Sequence, residues 1–185
     1  VVVIALKNDP DDFDARFSAI GRTYRYRILN RPDADPFTSA MAWHVVAPLD
    51  VAAMEAAAAL LVGLHDFTSF CRLPTVRPDG TMPTLMRRIT EVSWRWLDPG
   101  LSGLPLLEFE VSASAFCYQM VRTIVGTLVD VGSGRLTVDS IPGILAARDR
   151  GASGEPAPSC GLTFWSVAYP PDAISGPADG QLPGS

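Results

Sequence analysis

Lysine is nearly missing from this chain: of 15 basic residues only Lys7 is a lysine, and the other 14 are arginines. Histidine and cysteine are scarce too, at two and three residues. Cys71, Cys117 and Cys160 form no CxxC pair, and neither His44 nor His65 stands at a metal-type spacing from them. That pattern excludes structural zinc, and three widely separated cysteines do not make a disulfide framework. No metal site is expected. Long apolar runs are missing as well: no stretch approaches a membrane span, and residues 1–6 are too short for a signal peptide. A reducing, cytoplasmic setting fits this reading. The first residues resemble a strand already under way, so an N-terminal portion is expected to have been removed, with residues 1–12 its remnant.

What is present is ordinary globular composition, 48% hydrophobic and 19% charged over 185 residues, enough for one sizeable core or two small ones. The formal charge of −5 argues on its face against a nucleic-acid partner. A GC-rich codon bias would by itself favour arginine, so placement matters more than the total. Arg16, Arg22, Arg25, Arg27 and Arg31 follow one another with no acid between Asp14 and Asp33. Arg72, Arg77, Arg87 and Arg88 form a second group containing a single acid, Asp79. Local basic strips can hold a polyanion on an acidic protein, because the nearby field decides the contact.

Periodicity predicts a strand over 17–29, with Arg22, Tyr24, Tyr26 and Ile28 on one face and Thr23, Arg25 and Arg27 on the other. Asp50 is a good N-cap for an Ala-rich helix to Val62, closed by Gly63. Strands are expected over 85–96, 106–111 and 162–169, a helix over 115–129 and a short one over 141–150. The Pro-, Gly- and Ser-rich tail, 172–185, has too little apolar content to fold. Strands and helices mix without βαβ alternation. The expected class is α+β, a largely antiparallel sheet flanked by helices, with residues 13–171 as its main domain.

Arg122 is the only charge between Glu110 and Asp130, in the middle of the helix expected over 115–129. Phe116, Met120, Ile124 and Leu128 repeat at one spacing and Cys117, Val121 and Val125 at another, too wide a stripe for a surface helix. A guanidinium stays charged, and burying it unpaired costs roughly 3–5 kcal/mol. It must therefore meet a carboxylate, from this chain or elsewhere, or a phosphate. Gly126, one turn on, would let a backbone or a ligand come close. Tyr24 and Tyr26 are either two core aromatics or a stacking platform beside guanidiniums, the equipment that grips an unstacked base.

Five segments occur in order: Phe13-Asp-Ala-Arg-Phe-Ser-Ala19, Arg22-Thr-Tyr-Arg-Tyr26, His65-Asp-Phe-Thr-Ser-Phe70, Ala115-Phe-Cys-Tyr-Gln-Met-Val-Arg-Thr-Ile-Val-Gly126, and Gly161-Leu162 through Tyr169-Pro170. Together they resemble the C-terminal part of the tRNA pseudouridine synthase A family, over residues 11–170. The resemblance implies a pseudouridine synthase fold and a cofactor-free isomerisation of uridine in the tRNA anticodon stem-loop, performed by an aspartate in a homodimer. It implies that Arg122 holds that aspartate. Tyr24 would pack on the target base and assist proton transfer from its C5, while Leu162 walls the base pocket. Phe13, Arg16, Phe17, Arg72 and Arg77 would touch the tRNA backbone. The family's Arg-Thr-Asp-x-Gly-Val-His type of motif is not in this sequence, and the resemblance places it upstream of Phe13. The alternatives are a non-catalytic RNA-binding remnant and an unrelated α+β protein in which Arg122 is a structural ion pair.

Overall fold

A computed structural model describes residues 13–73, 75, 80–98 and 103–171. The expectations placed on 1–12 and 172–185, and on Arg77, lie outside these residues. Among the described residues six strands make one sheet: β1 (Gly21–Asn30), β2 (Trp43–Val45), β3 (Gly63–Asp66), β4 (Met86–Leu97), β5 (Leu106–Ala113) and β6 (Leu162–Ala168). The helices are α1 (Val51–Ala59), α2 (Met120–Gly132) and α3 (Ser140–Ala147). The strand order is β2-β1-β5-β4-β3, and β6 also pairs with β1. Every pairing is antiparallel except β1 with β2. This is the expected α+β class with a largely antiparallel sheet.

Strand parity sorts the side chains. Tyr24, Tyr26 and Ile28 of β1 align with Val111, Phe109 and Leu107 of β5, and these with Val92, Trp94 and Trp96 of β4. That face carries the main core, closed by Met54, Ala57 and Ala58 of α1 and by Val121, Ile124, Val125 and Leu128 of α2. The opposite face carries Arg25 and Arg27 beside Glu110 and Glu108, with Ser93 and Arg95 beyond. Glu108 is only 1% exposed and takes Arg27 at 2.9 Å and Arg95 at 2.5 Å; Arg25 pairs with Glu110 and lies 3.5 Å above the Trp165 ring. Burial pushes the Glu108 carboxyl up, but hydrogen bonds and charge from Arg95 and Arg27 outweigh it and hold the group below its ordinary value. Arg31 meets Asp33 at 3.6 Å, and Arg22 donates to the carbonyls of Ser114 and Arg16. Four of the five arginines in the first basic strip are therefore engaged within the fold, and only Arg16 is left for a partner.

Asp50 caps α1 as expected, accepting from the Ala53 amide at 3.0 Å. Past Ala59 the chain tightens into i→i−3 bonds at Leu60, Leu61 and Val62, and Gly63 at φ 113° turns it directly into β3.

The helix expected from Ala115 begins only at Met120. Two observations explain the delay. Cys117 is bonded to Cys71, with Cα atoms 5.8 Å apart, and the Tyr118 carbonyl accepts from the Arg72 amide at 3.0 Å. Residues 117 and 118 are thus tied to a neighbouring segment, and Gln119 makes the corner with φ 67°. The same pair corrects the expectation that the cysteines would stay unlinked. At its other end α2 runs on to Gly132, where any side chain would strike Met54 of α1.

Candidate active site

Residues 154–161 form a strap across α2. The Gly154 amide donates to the Thr127 hydroxyl at 3.0 Å, and the Ala157 amide to the Arg122 carbonyl at 2.9 Å. A Cβ on Gly126 would stand 1.8 Å from the Glu155 carbonyl oxygen, so this glycine admits backbone, not a ligand. The Tyr26 hydroxyl donates to the Pro158 carbonyl at 2.6 Å. Tyr26 is fully buried, and that burial raises its phenol above the ordinary value, which keeps the proton on this donor. It is therefore a core residue and no part of a stacking platform.

The strap orients Arg122. Its Nε donates to the Ala157 carbonyl at 2.5 Å, and among the described residues no carboxylate pairs with the guanidinium. The in-chain ion pair considered from sequence is not found there. The two terminal nitrogens remain for another partner, in the geometry that suits a carboxylate.

Arg122 shares a cleft of about 510 Å³ with Arg16, Tyr24, Phe116, Tyr118 and Leu162. Three of the residues singled out from sequence, Tyr24, Arg122 and Leu162, thus come together from β1, α2 and the start of β6. The Tyr24 ring is held edge-on by Phe116 at 5.1 Å and flanked by Phe164 at 5.2 Å. A register shift between β1 and β6 at Thr23/Tyr24 skips Trp165, leaving Phe164 opposite Tyr24 and Trp165 over Arg25. Leu162 follows a 3-10 turn, Ser159–Gly161, in which a side chain on Gly161 would collide with the Arg27 carbonyl at 2.6 Å.

The remaining predicted contacts lie along the rim. Phe17 is 80% exposed with the Arg16 guanidinium 5.6 Å from its ring, whereas Phe13 packs on Tyr169 at 5.0 Å and serves to fasten its segment. Asp14 shapes that segment: its Oδ1 accepts from the amides of Arg16 and Phe17, both at 2.8 Å. Arg72 lies over Tyr118, 5.8 Å from the ring centre. Sequence reasoning missed the braces Phe116 and Phe164 and the carbonyl of Ala157. Phe116 could have been suspected from its place six residues before Arg122, but the other two are fixed by chain segments remote from the residues they hold.

A family model described as tRNA pseudouridine synthase matches residues 57–170. The chain belongs to the tRNA pseudouridine synthase family. Several proteins named tRNA pseudouridine synthase A are similar to it. That of Bacillus velezensis is 40% identical over 159 residues, 86% of this chain and 60% of its own length. The Allorhizobium ampelinum protein is 41% identical over 172 residues, covering 93% and 62%, and the Chloroflexus aurantiacus protein 43% over 163, covering 88% and 56%. The chain thus spans about 60% of the length of the synthases it matches. Arg72, Arg122 and Leu162 fall inside the synthase family match, and Tyr24 inside the Allorhizobium alignment, since 172 of 185 residues leave no start later than 14. Among the described residues, no group of three potential ligands could hold a metal, and no helix is long and apolar enough to cross a membrane.

Proposed function

We propose that this chain is the C-terminal domain, residues 13–171, of a cytoplasmic, homodimeric enzyme that isomerises uridine to pseudouridine in the tRNA anticodon stem-loop. In this reaction the N1–C1′ bond of the nucleotide breaks, a C5–C1′ bond forms, C5 loses its hydrogen and N1 gains a proton. The observation that carries the reading is the Arg122 guanidinium, anchored through Nε to Ala157 and turned toward a cleft that also contains Tyr24 and Leu162. Such a group holds an incoming carboxylate ionised and oriented, here the family's nucleophilic aspartate from outside this sequence. Tyr24 and Leu162 sandwich the extracted base, and stacking on Tyr24 offsets the few kcal/mol of unstacking. The Tyr24 hydroxyl, with no hydrogen-bond partner among the described residues, is available for the C5 proton. Phe17, Arg16 and Arg72 support the RNA backbone at the rim, with Phe13 fastening the segment that carries Arg16 and Phe17; Arg77 is assigned the same role from the family resemblance alone.

The test is release of the C5 hydrogen from an anticodon stem-loop by the intact protein. Arg122→Ala is expected to abolish release while leaving RNA affinity largely unchanged. Near-normal release by that variant would sink the assignment. Binding by the wild type with no release at all would leave the non-catalytic RNA-binding reading in its place.

A further inference from the structure

A second groove, of about 460 Å³, opens beside the cleft and shares Arg16, Phe116, Cys117 and Tyr118 with it. Tyr118 forms part of the wall common to both, yet it is 65% exposed. Its position is nevertheless fixed. Consecutive residues of two segments are tied pairwise: Cys71 is bonded to Cys117, the Arg72 amide donates to the Tyr118 carbonyl at 3.0 Å, and the Arg72 guanidinium covers the Tyr118 ring at 5.8 Å. An exposed aromatic held this firmly is prepared for a planar partner, because little ordering entropy remains to be lost on binding.

The charges of this groove point the same way. Arg16, Arg72 and Arg87 line it, and among the described residues none of them pairs with a carboxylate. Arg87 is half-buried, its Nη1 donates to the carbonyls of Thr84 and Met86, and its Nε is buried without a partner. Three guanidiniums beside one presented ring call for an anion joined to a flat heterocycle. Among the described residues no Asn, Gln, Asp or Glu lines the groove, so the side chains that pair with the edges of adenine and cytosine are missing from it.

We propose that this groove is the subsite for the nucleotide flanking the target uridine. Its base stacks on Tyr118 and its phosphate is held by Arg16, Arg72 and Arg87. The proposal rests on the synthase reading above and adds a second stacked base, taken without regard to its identity, since every base offers a π-face. Tyr118 then contributes to affinity and register, and takes no part in the proton transfers.

The experiment measures binding of anticodon stem-loops to the intact protein, with the nucleotide on either side of the target replaced in turn by an abasic residue. For the wild type, one of the two replacements is expected to weaken binding roughly 5- to 150-fold, the range for a base stacked on an aromatic ring. Tyr118→Phe keeps that penalty. Tyr118→Ala binds intact and abasic RNA alike. Exchanging the flanking base among the four ordinary ones changes affinity little. A wild type indifferent to both abasic replacements, or a Tyr118→Ala variant that keeps the penalty, overturns the subsite. If the wild type also ignores loss of the target base and releases no C5 hydrogen, the synthase reading itself has failed.

Discussion

Arg122 and Ala157 hold each other twice: the arginine's Nε donates to the alanine carbonyl at 2.5 Å, and the alanine amide donates to the arginine carbonyl at 2.9 Å. The first bond aims the guanidinium and the second fixes the strap that aims it. Lysine has one ammonium on a flexible stem and cannot both reach Ala157 and present two parallel donors to a carboxylate. Arg122→Lys should therefore fail to rescue Arg122→Ala, leaving turnover reduced by ~100-fold or more at nearly unchanged RNA affinity. Single-turnover release of the C5 hydrogen at saturating RNA measures it.

Tyr24→Phe keeps the ring between Phe116 and Phe164 and removes only the hydroxyl. Stacking, and with it RNA affinity, should persist. If the hydroxyl moves the C5 proton, turnover falls about 10²- to 10⁴-fold, the usual contribution of a positioned acid or base. Turnover equal to wild type would reduce Tyr24 to a stacking surface.

Gly126→Ala tests the strap. The added methyl would lie 1.8 Å from the Glu155 carbonyl, a backbone atom that cannot step aside alone. Loss of roughly 3 kcal/mol or more is expected from overpacking, read from the denaturant midpoint. Any folded Gly126→Ala protein should also lose turnover, since a displaced strap no longer orients Arg122.

Glu108 sets an acid-side dependence. Its folded-state value lies below the ordinary carboxylate value, so its contribution to stability is complete above the unfolded value, about 4.3. That contribution disappears as pH falls from there through the folded value. Asp66 behaves likewise, lowered first by its hydrogen bond from the Thr68 hydroxyl. Glu108→Gln should flatten the fall of thermal midpoint with acid below about pH 4.5 and leave its slope between pH 6 and 8 unchanged. A wild-type slope retained in the variant would refute this account.

The link from Cys71 to Cys117 closes a long loop, with 46 residues of sequence separation. Loop-closure entropy alone puts its effect at about 4 kcal/mol. A reductant should lower the denaturant midpoint of the wild type and leave a Cys71→Ser, Cys117→Ser double variant unmoved.

The sequence exposed what depends on pattern. Alternation in β1, the Asp50 cap and the lone charge of α2 are local signals, and they pointed to the fold class, Tyr24 and Arg122, whereas Leu162 came from the family resemblance alone. Tyr24 and Tyr26 show the limit: both occupy the same face, and only the position of the strap decides that one is core and the other lines the site. The β2 and β3 strands, three and four residues long, carry too few alternations to stand out, and β2 exists through its pairing with β1. The pairing of Cys71 with Cys117 has no local signature, so it could not forecast the late start of α2. Counting arginines misled because cross-strand partners on β5, invisible in a linear reading, neutralise Arg25 and Arg27.

The strap has one more consequence. Ala157 is fixed to α2 and Leu162 to β1, so the four residues between them act as a ruler for the cleft's width. Adding or removing a residue there would change the gap between the arginine and the wall opposite. A change beside Leu73 or Pro83, which line the neighbouring groove, would leave that gap as it is. Lineages of this fold should therefore diversify their reach for RNA through loop length at the rim, while the ruler keeps its count.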